Sequence, residues 1–163
     1  MNQNLTYDQT LRAIGQALEA QKINDFNLTS NGDSYLVRGQ LGKISALQAF
    51  LRKWQGRQSG PGGLCRLNYT LQDIERLERE GRARRRSPQR LPDFYSLPSI
   101  LRAIGAYLDM KGAHLLEVYK RDLIVMILYQ TNQGHPEVEE RTVNSFYNLS
   151  LQMCRRRQKR DPS

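Results

Sequence analysis

One segment of the sequence occurs twice. Leu11-Arg12-Ala13-Ile14-Gly15 returns 90 positions later as Leu101-Arg102-Ala103-Ile104-Gly105. Apolar residues at helical spacing surround both copies, and each copy precedes two apolar runs that are separated by a polar turn. Two copies are too few for a solenoid. The repeat therefore predicts two units of the same architecture, related by a pseudo-two-fold axis.

Each unit is predicted to be a helix, a β-hairpin and a closing helix. In the first unit, Thr6 and Gln9 form a capping-box pattern that starts the first helix. A hairpin that turns at Asn31-Gly32 follows, and residues 43–55 have the apolar spacing of the closing helix. In the second unit, Ser96 is the expected N-cap. The duplicated unit is thus a helix-hairpin-helix.

The most apolar strand of the second unit indicates how the units combine. Residues 123–129 are apolar without alternation, so both faces of this strand are predicted to be covered. A lone hairpin cannot cover both of its faces. We therefore predict an α+β fold with one joint antiparallel sheet packed with helices. Two separate domains, or a homodimer that covers this strand, are the alternatives.

Two glycines are placed where helices normally avoid them. Gly15 and Gly105 lie in the middle of the first helix of each unit, where each costs ~1 kcal/mol relative to alanine. A missing side chain allows another backbone to approach closely. The predicted neighbour of each glycine is the first helix of the other unit.

The chain divides into four segments by composition. The first unit spans 1–55, and a flexible linker spans 56–95, which begins with several glycines and contains a basic amphipathic helix at about 70–86. The second unit spans 96–157, and a basic tail spans 158–163. The glycines of the linker lack the Gly-Lys-Ser/Thr ending of a phosphate-binding loop.

Positive charge is the strongest compositional signal. Lys and Arg total 25 against 16 Asp and Glu, which gives a net charge of +9, and 19 of the 25 are Arg. Arginine suits phosphate because its planar guanidinium binds two oxygens at once. Two clusters carry arginines that no acid interrupts, and their members are Arg82, Arg84, Arg85, Arg86 and Arg90 in the linker and Arg155, Arg156 and Arg157 near the C-terminus.

These clusters predict a non-enzymatic module that binds nucleic acid without sequence specificity, since phosphate contacts carry no sequence information. The competing interpretation is that the arginines are solvated charges near helix C-termini. A different function, a protein-interaction or chaperone-like adaptor with an acidic protein partner, is the alternative. It would use an apolar groove or a dimer face, for which the apolar strand and the narrow stripe of residues 71–77 are suited.

No catalytic residue, metal or cofactor is predicted. A metal site needs three or four converging ligands, and the candidates are not at motif spacing; they are Cys65, His114, His135 and Cys154. Glu137, Glu139 and Glu140 are predicted to lie in an exposed loop, where carboxylates stay solvated. The chain is therefore not predicted to be an enzyme.

The remaining predictions concern location. Two cysteines in unlike contexts favour reduced thiols over a disulfide. The longest apolar run is far below the ~20 residues of a membrane span, so no membrane association is expected. These features predict a soluble cytoplasmic protein.

Overall fold

The computed structural model describes residues 5–41, 64–85, 96–146, 148, 149 and 152. These residues form an α+β fold in which six antiparallel strands make one sheet. The described helices and one face of the sheet share a single hydrophobic core.

Along the described parts of the chain, one helix is followed by three strands, then two helices and three further strands. The described helices are α1 (Tyr7–Ala20), α2 (Leu71–Arg85) and α3 (Leu97–Lys111), and a further helical segment begins at residue 143. The strands are β1 (Ile23–Ser30), β2 (Ser34–Leu41), β3 (Leu64–Thr70), β4 (His114–Arg121), β5 (Ile124–Gln130) and β6 (Pro136–Thr142). Their order across the sheet is β3-β2-β1-β4-β5-β6.

The joint antiparallel sheet is confirmed. Strands β1 and β4 pair antiparallel at its centre, where Leu28 is opposite Val118. This pairing excludes two separate domains, because the two hairpins share backbone hydrogen bonds. The closing helix predicted at 43–55 lies outside the described residues, so the helix-hairpin-helix duplication and the division into four segments stay predictions.

Two strands were not predicted. Strand β3 occupies part of the segment that was expected to be a flexible linker, and β6 replaces the expected solvated loop that contains Glu137, Glu139 and Glu140. Both are edge strands, and β6 contains three glutamates, which are depleted in strands. They form because β2 and β5 each offer an open row of backbone donors and acceptors.

The predicted helix starts are confirmed. Thr6 and Gln9 make both hydrogen bonds of a capping box before α1, and Ser96 accepts from the Ser99 N–H before α3. The start of α1 also receives the carboxylate of Asp109 from α3, which accepts from the backbone N–H groups of Tyr7 at 3.0 Å and Asp8 at 2.9 Å. A carboxylate at a helix N-terminus interacts favourably with the helix dipole.

The two glycines lie at the crossing of α1 and α3, as predicted. A Cβ built on Gly15 would lie 2.7 Å from the Cα of Pro98, and one built on Gly105 would lie 2.3 Å from the backbone oxygen of Tyr7. Each glycine therefore faces the first turn of the other helix, and the two helices run antiparallel. Their close contact fixes the helical layer over the centre of the sheet.

The prediction that both faces of the strand near residues 123–129 are covered is wrong. Val125, Ile127 and Tyr129 of β5 are buried, but Ile124 is 47% exposed and Met126 is 39% exposed. The strand lies second from the edge of the sheet, with β4 and β6 as its neighbours. Its outward side chains are apolar although the described helices pack only on the opposite face.

Ionisation of Tyr35, on the core side of β2, is expected to lower the stability of the fold at alkaline pH. Burial raises the pKa of its hydroxyl from 10.0 to about 12, and the nearby Tyr7 adds to the rise. Because the folded pKa is the higher one, this contribution is complete below pH 10 and is lost as the pH rises through about 12. We expect the free energy of unfolding to fall by about 2 kcal/mol over this interval on account of Tyr35.

Urea unfolding of the wild type and of Tyr35→Phe, at several pH values between about 9 and 12, measures this effect. The phenylalanine cannot ionise, so the variant should lack this component of the alkaline loss. Parallel losses in the two proteins would contradict the assignment to Tyr35.

Candidate nucleic-acid interface

The structure describes only part of the predicted arginine clusters. Arg82 lies near the end of α2, and Arg84 and Arg85 are among the last residues of that helix. The other predicted contacts lie outside the described residues; they are Arg86, Arg90, Arg155, Arg156 and Arg157. Of the two predicted clusters, the structure therefore places only Arg82, Arg84 and Arg85.

Arg82 belongs to a charge cluster between α1 and α2. Its Nε donates to Oε1 of Glu78 at 3.1 Å, and the same oxygen accepts from Nη2 of Arg12 at 2.6 Å. The Glu78 side chain is only 3% exposed, whereas that of Arg82 is 53% exposed. Arg82 thus neutralises a buried carboxylate and leaves about half of its side chain facing solvent.

The face of the sheet opposite the helices, which we call the outer sheet face, carries a second set of basic residues. Its side chains alternate with the buried ones along each strand. One row crosses all six strands at matched register, and we call it the central row. Its members, from β3 to β6, are Arg66, Arg38, Asn27, Tyr119, Met126 and Glu140.

Two arginines are neighbours at one end of the central row. Arg38 of β2 is directly opposite Arg66 of β3, and both side chains are exposed. Like charges at opposite positions destabilise a sheet. Among the described residues, neither arginine has an acidic partner in an ion pair. The pair is thus a local concentration of positive charge that an external anion could neutralise.

This pair was missed because its second strand was missed. Arg38 stands between Val37 and Gly39 in a recognisable strand, so its outward position follows from the alternation. Arg66 lies in β3, within the segment that was expected to be a linker. The alternation of Cys65, Leu67 and Tyr69, which are the less exposed residues of β3, is the signal that could have found it.

The other half of the outer sheet face is apolar and partly aromatic. Tyr119 is 37% exposed, and Ile124, Met126 and Val138 are exposed as well. Two residues before Tyr119 on the same strand, the side chain of Glu117 accepts a hydrogen bond from the side-chain amide of Asn27. An exposed group of large apolar side chains on a protein surface is typical of an interaction site.

A third feature is a polar network where α3 meets β5 and β6. The hydroxyl of Tyr107 donates to Glu139 at 2.7 Å, and Arg141 binds the same carboxylate. On the neighbouring strand, the hydroxyl of Tyr129 donates to Glu137 at 2.6 Å and accepts from Nζ of Lys111 at 2.8 Å. The expectation that these glutamates are freely solvated is wrong, because backbone pairing with β5 directs both side chains towards the tyrosines.

The pKa directions in this network favour a structural role. Hydrogen bonds with Tyr107 and Tyr129 raise the pKa of Lys111, which favours its protonated amine. The hydrogen bond to Glu137 raises the pKa of Tyr129. Although burial opposes it, hydrogen bonds from Tyr107 and Arg141 lower the pKa of Glu139. The network neutralises its own charges and attaches edge strand β6 to α3.

Two further properties of the described residues concern metal ligands and membrane-spanning helices. Within them, no group of three or more His, Cys, Asp and Glu side chains converges as a metal site would require. Cys65 is a free thiol whose Sγ lies 3.5 Å from the carbonyl oxygen of Gly39, and Cys154 lies outside the described part. None of the described helices has the length and apolar character needed to cross a membrane.

No protein-family model matches this chain, and comparisons with characterised proteins and with solved structures find no significant similarity.

Proposed function

We propose that the protein is a non-enzymatic module that binds nucleic acid through phosphate contacts and without sequence specificity. The observation that carries this proposal is the exposed pair of Arg38 and Arg66 on neighbouring strands. A folded protein tolerates like charges at opposite positions at a cost, and phosphates bound by the two arginines would remove that cost.

Further basic residues extend the proposed contact surface. The net charge of +9 attracts polyanions over a distance of several ångströms. The arginines predicted from the sequence remain part of the proposal as phosphate contacts: Arg82, Arg84, Arg85, Arg86, Arg90, Arg155, Arg156 and Arg157. Because α2 packs in the helical layer, its arginines would contact a different backbone segment from that held by Arg38 and Arg66.

The proposal predicts a steep dependence of affinity on salt. Each neutralised phosphate releases counterions, and it contributes about 0.7 to 0.9 to the slope of log affinity against log salt. We expect Arg38→Gln/Arg66→Gln to reduce the magnitude of this slope by roughly 1.5 and to weaken binding at low salt. Fluorescence anisotropy with a labelled oligonucleotide of mixed sequence, measured over a range of salt concentrations, gives both quantities.

A matched control separates local contacts from net charge. Arg76→Gln/Arg79→Gln removes the same charge from exposed positions of α2 that are outside the predicted clusters. This control should change the affinity for the oligonucleotide less than Arg38→Gln/Arg66→Gln does. Absence of binding at low salt, or binding that does not vary with salt, would refute the proposed function.

The adaptor function is the second candidate, favoured by the exposed apolar side chains of Ile124, Met126 and Val138. It predicts partners, including a second copy of the chain or an acidic protein, that persist when nucleic acid is digested. A pull-down from lysate with and without nuclease distinguishes the candidates, because nucleic-acid-mediated partners disappear on digestion. A cytoplasmic site of action is part of both candidates, since free thiols suit a reducing compartment.

We also infer that the chain is an internal duplication of a helix-hairpin-helix unit. What supports this is the identity of residues 11–15 and 101–105, together with the equivalent contacts of their glycines. If the units are equivalent, Gly15→Ala and Gly105→Ala should destabilise the protein in the same direction.

A further inference from the structure

We propose that the outer sheet face binds a single strand of nucleic acid, with Arg38 and Arg66 on its phosphates and the ring of Tyr119 stacked on a base. This inference rests on the proposed nucleic-acid function and specifies its ligand. The central row supplies the two kinds of contact that single-strand binding needs, a basic track for the backbone and an aromatic platform for a base.

The spacing of the central row suits an extended strand. Neighbouring β-strands lie about 4.8 Å apart, so Tyr119 is roughly 10 Å from Arg38 and roughly 14 Å from Arg66 along the row. Asn27 lies between Arg38 and Tyr119 and adds a polar side chain to the path. A strand that follows the row can therefore place phosphates over the arginines and turn a neighbouring base towards the tyrosine.

The same geometry is unfavourable for a duplex. Six strands span roughly 24 Å, whereas the major groove of B-DNA is only about 12 Å wide. Bases in a duplex are stacked on one another and cannot present a face to Tyr119. Unpaired bases can be splayed out and stacked on an aromatic side chain. Tyr119 is 37% exposed, and the described helices lie on the opposite face of the sheet, so its ring is accessible.

Charge along the row determines which part of it attracts the phosphates of the strand. Arg66 and Arg38 lie at the β3 end, whereas Glu140 lies at the β6 end. Glu117, two residues before Tyr119 on β4, accepts a hydrogen bond from the amide of Asn27. Phosphates are therefore attracted to the β3 end and repelled from the β6 end. The apolar side chains of Met126 and Ile124 adjoin Tyr119 and can contact the faces of bases there.

The test compares Tyr119→Ala and Tyr119→Phe with the wild type. The probes are a labelled oligothymidine and a labelled duplex of the same length, both at low salt. We expect Tyr119→Ala to weaken binding of the single strand by roughly fivefold to a hundredfold, because one base loses its stacking partner. Tyr119→Phe should stay within about threefold of the wild type, since phenylalanine keeps the ring. Neither substitution should change binding of the duplex.

Each outcome has a distinct meaning. Equal affinities of wild type and Tyr119→Ala for the single strand, or tighter binding of the duplex by the wild type, would overturn this inference. Weaker and less salt-dependent binding by Arg38→Gln/Arg66→Gln than by the wild type would then still support the proposed function. If the wild type binds neither probe at low salt, both proposals fail. Thermal unfolding of each variant verifies folding, and Met110→Ala, at an exposed apolar position in α3, is the control for loss of apolar surface.

Discussion

Gly105→Ala should lower the free energy of unfolding by about 2 kcal/mol or more, although alanine is the better helix former. Alanine gains ~1 kcal/mol over glycine in a helix. Its Cβ, however, would lie 2.3 Å from the backbone oxygen of Tyr7 and 2.6 Å from the backbone nitrogen of Asp8. Backbone atoms cannot move aside as a side chain can, so α1 and α3 must separate, and overpacking costs 1–3 kcal/mol or more. Thermal unfolding should show a midpoint roughly 4–8 °C lower.

Gly81→Ala is the matched control in α2. The three atoms nearest to a Cβ at that position all belong to the side-chain amide of Gln16, which is the end of a flexible side chain. The gain in helix propensity should therefore dominate, and the variant should be as stable as the wild type or more stable. If Gly81→Ala and Gly105→Ala lowered the free energy of unfolding equally, close packing of α1 on α3 could not explain the loss in Gly105→Ala.

Arg12→Met should cost about 3 kcal/mol of stability. The carboxylate of Glu78 accepts a hydrogen bond from Nη2 of Arg12 at 2.6 Å, and the side chain of Glu78 is only 3% exposed. Removing one member of a buried ion pair leaves the other charge poorly compensated, which typically costs 3–5 kcal/mol. Arg82 also binds this carboxylate, so we place the loss at the lower end of that range. Denaturant unfolding at neutral pH measures it.

Two further variants define the contribution of the pair. Arg12→Met/Glu78→Leu replaces both charges by apolar groups and should recover most of the lost stability, because no buried charge remains. Arg82→Met removes the half-exposed partner and should cost less than about 1 kcal/mol. A double variant that is less stable than Arg12→Met would show that the carboxylate is needed for another reason.

The helical framework could be predicted from sequence because its signals are local. The capping box at Thr6, the cap at Ser96 and the apolar stripes of α1 and α3 each depend on residues within a few positions of one another. The contact of Gly15 and Gly105 with the opposite helices could also be predicted, since a helical glycine is costly unless close packing requires it.

The outer sheet face could not be predicted because it depends on pairings between distant segments. Strand β6 is rich in glutamate and forms only because β5 supplies hydrogen-bonding partners. Unless β3 is recognised, Arg66 cannot be identified as the neighbour of Arg38. Unless the pairing of β1 with β4 is known, Tyr119 cannot be placed in the same row as Arg38. The outward apolar residues of β5 misled the prediction, because unbroken hydrophobicity normally marks a strand covered on both faces.

The crossing of α1 and α3 has a consequence for the order in which the molecule is made. Asp109 caps the first turn of α1 from 102 positions further along the chain. A ribosome adds about 5–20 residues per second, so α1 waits on the order of 5 to 20 seconds before its partner helix is synthesised. During that time the apolar stripe of α1 and one edge of β1 have no native partner from the second half. Such long-range contacts make folding slow, so the newly made N-terminal half depends on its own solubility, or on a chaperone, until β4 emerges.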